Sequence, residues 1–275
     1  ALTGLFLVLG TALGGMSGAI VALVFAAALN FGTYWFSDRL ALRMAGAKEV
    51  TAEEAPELHA QVAHLAMLAR LPMPKVCIID TETPNAFATG RNPEHAAVAV
   101  TTGIQNLLTK DELAGVIAHE LAHIRNRDTL IATIVGAVAG AITWIAHMIQ
   151  FSALFGGLGG NDEEQGAGGM VGALFVAILA PIAAAMIQMA ISRSREFQAD
   201  ATGARILGDP LPLARALEKL HEGVARRPLT RGNPATAHFY IVNPFNAAGV
   251  SKLFSTHPPV EQRVARLQEM ALRPI

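Results

Sequence analysis

Cysteine is almost missing from this chain: Cys77 is the single one in 275 residues. That excludes an intrachain disulfide and any zinc site built on two or more thiolates. Its neighbours Val76, Ile78 and Ile79 predict a small buried hydrophobe. Charge is scarce as well, with 16% charged residues and a net charge of −1. No basic excess exists to displace counterions from phosphate, so nucleic acid is excluded as a partner. The hydrophobic fraction is 52% and the mean hydropathy +0.39. That balance is too apolar for an ordinary soluble domain, and it predicts a lipid bilayer as a partner.

Asp, Glu, Lys and Arg vanish from three runs, 1–37, 129–161 and 165–192. Each exceeds the ~20 residues a helix needs to cross the hydrocarbon core. The first is too long for one span, and Gly14-Gly15-Met16-Ser17-Gly18 predicts a hairpin within it. Residues 18–36 then form a full span, and 1–12 the end of an earlier, shortened one. Basic residues follow or precede the spans at Arg39, Arg43, Lys48, Arg125, Arg127, Arg193 and Arg195. The loop 156–169 carries Asp162, Glu163 and Glu164 and no basic residue, so that loop faces outward and the other span ends face the cytoplasm. The expected organisation is an N-terminal transmembrane hairpin (1–37), a cytoplasmic part (38–128), a second hairpin (129–192) and a second cytoplasmic part (193–275). His147 falls inside a span, where a neutral histidine hydrogen-bonded between helices is expected.

What is abundant in chemical content is concentrated in His119-Glu120-Leu121-Ala122-His123. The pattern H-E-x-x-H on a helix sets two imidazoles one turn apart on one face, able to grip a zinc ion with Glu120 beside them. Two histidines do not complete a catalytic zinc site, and a third protein ligand is needed. Glu196, in Ser194-Arg195-Glu196-Phe197-Gln198-Ala199-Asp200, can supply it if an even number of spans intervenes. The count between 129 and 192 is two, in agreement with the charge argument.

In this reading His119, His123 and Glu196 bind one Zn2+ per chain, and Glu120 acts as the general base for the attacking water. Asp200, one turn after Glu196, accepts the outer N–H of a zinc histidine. The alternative is a solvated helix face on which Glu196 and Asp200 pair with Arg193 and Arg195. The oxyanion needs a further donor, and His257, Arg263 and His238 are candidates.

Local signals place these groups. Thr51-x-x-Glu54 opens a helix over 51–71 with Leu58, Val62, Leu65 and Leu68 at helical spacing. His59 and His64 on it have no partner at metal spacing and read as surface or packing residues. Residues 75–80 and 96–100 read as strands. Between them Asn85-Ala86-Phe87-Ala88-Thr89-Gly90 reads as a third, which is either a plain connection or an edge for an extended peptide to pair with. Thr109-Lys110-Asp111-Glu112 is a second capping box, opening the helix of the two histidines. Val260, Val264, Leu267 and Ala271 mark a last amphipathic helix.

Four segments occur here in one order: Pro84 to Gly90, His119 to His123, Ser194 to Asp200, and Ser255-Thr256-His257-Pro258-Pro259. That order resembles the HtpX family of membrane-bound zinc metalloproteases, related to the CAAX prenyl proteases. The resemblance implies a mainly α membrane protein with four transmembrane helices. It also implies a cytoplasmic α+β gluzincin-like domain with a small β-sheet. His119, His123 and Glu196 would be ligands, Glu120 the base, and Asn85 to Ala88 a strand that aligns substrate. It further implies a multi-pass protein of the bacterial inner membrane, with its site facing the cytoplasm. There it would act on misfolded or unassembled membrane proteins under stress. The alternatives are a CAAX-type prenyl-peptide protease, or a non-enzymatic membrane holdase whose zinc site is structural.

Overall fold

A computed structural model describes residues 2–155, 167–226, 241 and 258–272. Among the described residues, and apart from a single 3-10 turn at Pro93–His95, the elements follow in order: α1 (Leu2–Trp35), α2 (Ser37–Met44), β1 (Lys48–Glu49), α3 (Pro56–Ala69), β2 (Lys75–Ile79), β3 (Ala86–Gly90), β4 (Ala96–Thr101), α4 (Thr102–Leu107), α5 (Lys110–Arg125), α6 (Asp128–Phe155), α7 (Ala167–Leu207), α8 (Leu211–Arg226) and α9 (Val260–Ala271). The chain is mostly helical with a small sheet, as expected. Among the described residues no helix is long and apolar enough to cross a membrane. Two compact units emerge, one of residues 1–34 and 132–191, the other of 35–131 and 192–275.

In the first unit α1 is broken at Gly14 and Gly15, where the backbone leaves helical angles; Gly15 takes φ +57. Paired with its ψ of −140, that value is one only glycine adopts without strain. The two halves fold back on each other, so that a Cβ on Gly10 would stand 2.4 Å from the Gly18 carbonyl oxygen. Phe6 and Phe25 meet edge to face at 5.2 Å.

The second unit is built on a sheet of order β1-β2-β4-β3. The β2–β4 pair is parallel, while β1–β2 and β3–β4 are antiparallel. Side chains alternate across it, as a period of two demands. Val76, Val98, Val100 and Ala86 enter a core shared with α3, α5 and α8. Cys77, Ile79, Phe87, Ala97 and Ala99 face the other way, under Ala41 of α2.

Both capping boxes form. Thr109 and Glu112 exchange their reciprocal bonds at the start of α5. Thr51 and Glu54 do the same, but they close a turn, and the helix begins later, at Pro56. Proline suits a first helical turn, where its missing N–H has no partner to lose. α8 packs along α5 through Leu213, Leu217 and Leu220, one apolar stripe at helical spacing. Glu112 also receives Lys219 Nζ of α8 at 2.7 Å, so the box doubles as a tie between the two helices.

Candidate metal centre

The site lies inside the second unit. His119 and His123 sit on α5, and their Nε2 atoms face each other 3.1 Å apart. Glu196 of α7 brings Oε2 to 3.7 Å from His119 Nε2 and Oε1 to 3.6 Å from His123 Nε2. The three ligand atoms all lie within 4.8 Å of one another. Zinc bonds of ~2.0–2.1 Å at a tetrahedral angle would set their donor atoms roughly 3.3 Å apart. The donor set, two imidazoles and a carboxylate, therefore fits zinc in chemistry and spacing. His119, Glu120 and Glu196 are buried, and His123 is partly open.

A close approach of two backbones makes this convergence feasible. Gly203, about two turns after Glu196 on α7, packs on α5 so tightly that a Cβ would lie 2.8 Å from the His119 amide nitrogen. Any larger residue there would drive the helices apart.

The outer nitrogens of both histidines meet carboxylates. Asp200 Oδ1 stands 3.0 Å from His119 Nδ1, at ion-pair distance though without the alignment of a hydrogen bond. Asp128 Oδ2 stands 2.6 Å from His123 Nδ1. Asp200 is gripped on both oxygens by Arg263 of α9, whose Nε donates at 2.8 Å and Nη2 at 2.6 Å. Burial would raise the Asp200 carboxyl, but the Arg263 charge and hydrogen bonds outweigh it and hold the group at about 2. Arg263 in turn is held above the ordinary guanidinium value: burial works against its charge, and Asp200 more than compensates.

Glu120 points away from α5 toward the sheet. Its Oε2 accepts the Ala88 amide at 2.7 Å, so this N–H is turned away from β4 although Ala88 stands in register with Val98. Ala86 and Ala88 lie on the α5 side and Phe87 on the α2 side. Small side chains at 86 and 88 let the strand approach the metal helix. Asn85 is buried; its amide donates to Thr101 Oγ1 at 2.9 Å, and its Oδ1 accepts the Ile241 amide at 3.3 Å. A cleft runs beside Ala88, Thr89 and Gly90 with His123, Arg127 and Leu130 on its far wall.

Of the oxyanion candidates, Arg263 is in the site, 3.6 Å from Glu196 Oε2 through Nη1 and 3.4 Å from His119 Nε2 through Nη2. His238 and His257 lie outside the described residues. His59 is a packing residue bonded to the Val50 carbonyl at 2.7 Å, and His64 is exposed. Sequence reasoning passed over Asp128, although an acidic residue five positions after a zinc histidine, at the turn out of its helix, was a readable signal.

The pattern that defines Peptidase family M48 matches residues 52–271 of this chain. The chain belongs to peptidase family M48. Relatives of this M48 peptidase include the Protease HtpX homolog of Persephonella marina, 55% identical over 99% of this chain and 94% of its own. Those of Aquifex aeolicus and Pyrococcus furiosus are 52% and 53% identical over 98% of this chain, and are covered to 89% and 93%. In fold the chain is similar to the crystal structure of S. mikatae Ste24p, with a TM-score of 0.60 at 19% identity. That match covers 96% of this chain and 60% of the other. The HtpX resemblance read from the four motifs is borne out, and the enzyme is a zinc metalloprotease.

Proposed function

We propose that this peptidase is a membrane-anchored endopeptidase that cleaves misfolded or unassembled membrane proteins at the cytoplasmic face of the inner membrane. The observation that carries the catalytic part is the convergence of His119, His123 and Glu196 on one point beside Glu120. In this reading those three hold the zinc. A zinc ion held there would supply Lewis-acid polarisation of the scissile carbonyl and would lower the pKa of water toward about 7.

The chain's own residues then do the rest. Glu120 takes the proton of the attacking water on its carboxylate and returns it to the leaving amine. Asp200 keeps the His119 ring turned so that Nε2 faces the site, and Arg263 keeps Asp200 ionised and in place. With its guanidinium spent on Asp200 and on the Ile241 carbonyl, we assign Arg263 to positioning. The oxyanion donor is left to His238 or His257. Asn85, Ala86, Phe87 and Ala88 form the edge strand to which an extended substrate adds, where it would compete with Glu120 for the Ala88 amide.

Anchoring rests on the charge-free runs and on large apolar side chains left exposed in the first unit. Val21, Val24, Phe25, Ile134, Phe175 and Met186 are each more than half exposed, a cost no water-facing surface repays. Residues 1–37 and 129–192 are read as the two membrane hairpins, and 38–128 and 193–275 as the cytoplasmic parts. Protein purified in detergent, with and without Glu120→Gln, tests the reading: zinc retained with casein cleavage lost supports it. Unchanged cleavage sinks it.

A further inference from the structure

Asp128 and Arg195 belong to none of the roles assigned above, yet they join the two helices that supply the ligands. Asp128 Oδ2 meets His123 Nδ1 at 2.6 Å. Its other oxygen, Oδ1, accepts Arg195 Nε at 2.6 Å and also Arg195 Nη2. The same Nη2 donates to the Asn126 carbonyl at 3.0 Å, and Nη1 to Gln198 Oε1 at 2.8 Å. Arg195 is thus anchored on the turn that leaves α5, and it immediately precedes Glu196 in the chain.

We propose that Asp128 and Arg195 form a positioning latch that couples two of the zinc ligands, an inference that rests on the ligand set proposed above. Asp128 fixes the His123 ring with Nε2 toward the metal, since a carboxylate on Nδ1 keeps the proton there. Arg195 fixes Asp128, and in doing so seats the turn of α7 that carries Glu196 against the end of α5. A planar guanidinium suits this task, because it can serve a carboxylate and a carbonyl at once in fixed geometry. The site then has two arginine-held carboxylates, Asp200 with Arg263 behind His119 and Asp128 with Arg195 behind His123. They differ in the elements they join: one pair closes the site from α9, the other ties α7 to the turn that leaves α5.

Zinc affinity of the full chain in detergent, measured by competition with a chromogenic chelator, tests the latch. Asp128→Asn and Arg195→Gln should each weaken zinc binding about 10–100-fold. The double variant should be no more than about threefold weaker than the worse single, because the two act as one unit. The visible spectrum of the cobalt-substituted protein should change in both singles, while thermal unfolding of the metal-free protein stays near that of the parent. Affinities within about threefold of the parent, or losses that multiply in the double variant, would overturn the latch. Should Arg195→Gln fail to fold, Arg195→Lys keeps the charge and carries the same test, since an ammonium cannot hold Asp128 and Asn126 together. Two controls separate this inference from the reading beneath it. A parent protein that binds no zinc, or a Glu196→Gln variant that binds it undiminished, tells against the ligand set. Normal zinc binding by the parent with equal binding by the variants tells against the latch alone.

Discussion

Glu120 Oε2 and the Ala88 amide are hydrogen-bonded at 2.7 Å, so the base proposed for catalysis rests on the edge strand proposed to receive the substrate. A peptide adding to that edge would meet Glu120 at the point where its scissile bond must lie. Glu120→Gln keeps an acceptor for Ala88 but cannot carry a proton. It should retain zinc and lower kcat by about 10²–10⁴ with little change in KM. Steady-state cleavage of a peptide substrate, paired with zinc analysis, checks this.

Gly203 offers a test of helix spacing. A methyl group there would press on the His119 backbone at 2.8–2.9 Å, against atoms that cannot swing aside. Gly203→Ala should cost about 1–3 kcal/mol in stability and loosen zinc binding as Glu196 is carried away from the histidines. Thermal unfolding and chelator competition read the two effects separately.

The tie between α5 and α8 titrates. Burial alone would raise the Glu112 carboxyl, but Lys219 and the Thr109 hydrogen bonds lower it below the ordinary carboxylate range. A depressed folded value means stability present above the unfolded pKa of about 4.3 and lost as pH falls below it. Glu112→Gln should cost about 1–2 kcal/mol at neutral pH and flatten the loss of stability on the acid side. Urea unfolding between about pH 3 and pH 7 shows whether it does.

Cys77 behaves in the opposite sense. Burial pushes its thiol up to about 11, so the folded protein favours the neutral form. The stability this contributes is complete below the unfolded value of about 8.5 and fades as pH rises toward 11. Iodoacetamide at pH 8 should leave Cys77 unmodified in the folded protein and label it fully in denaturant, as mass spectrometry would show.

Much of this architecture could be read before any coordinates. The two capping boxes are local, satisfied within four residues, and both form; the strands at 75–80 and 96–100 show as short apolar runs. The histidine pair announces itself because helical spacing puts both rings on one face. Glu196 was reachable only by asking for a third ligand and counting spans. The remainder depends on contacts that leave no local mark. Asp128 is marked by its place five residues after His123, but its tie to Arg195, 67 residues away, is not. Gly203 reads as an ordinary glycine until α5 is laid against it. The helix at 51–71 starts at Pro56 because the capping box there closes a turn first, a difference of geometry that the same residues do not betray.

The most direct measurement is zinc anomalous diffraction from the intact protein. The account predicts one strong peak, about 2.0–2.1 Å from Nε2 of both His119 and His123 and about 2.0–2.2 Å from a Glu196 oxygen. It also predicts a fourth position left to solvent. A peak that excludes Glu196, or a fourth protein side chain closing the coordination shell, would contradict it.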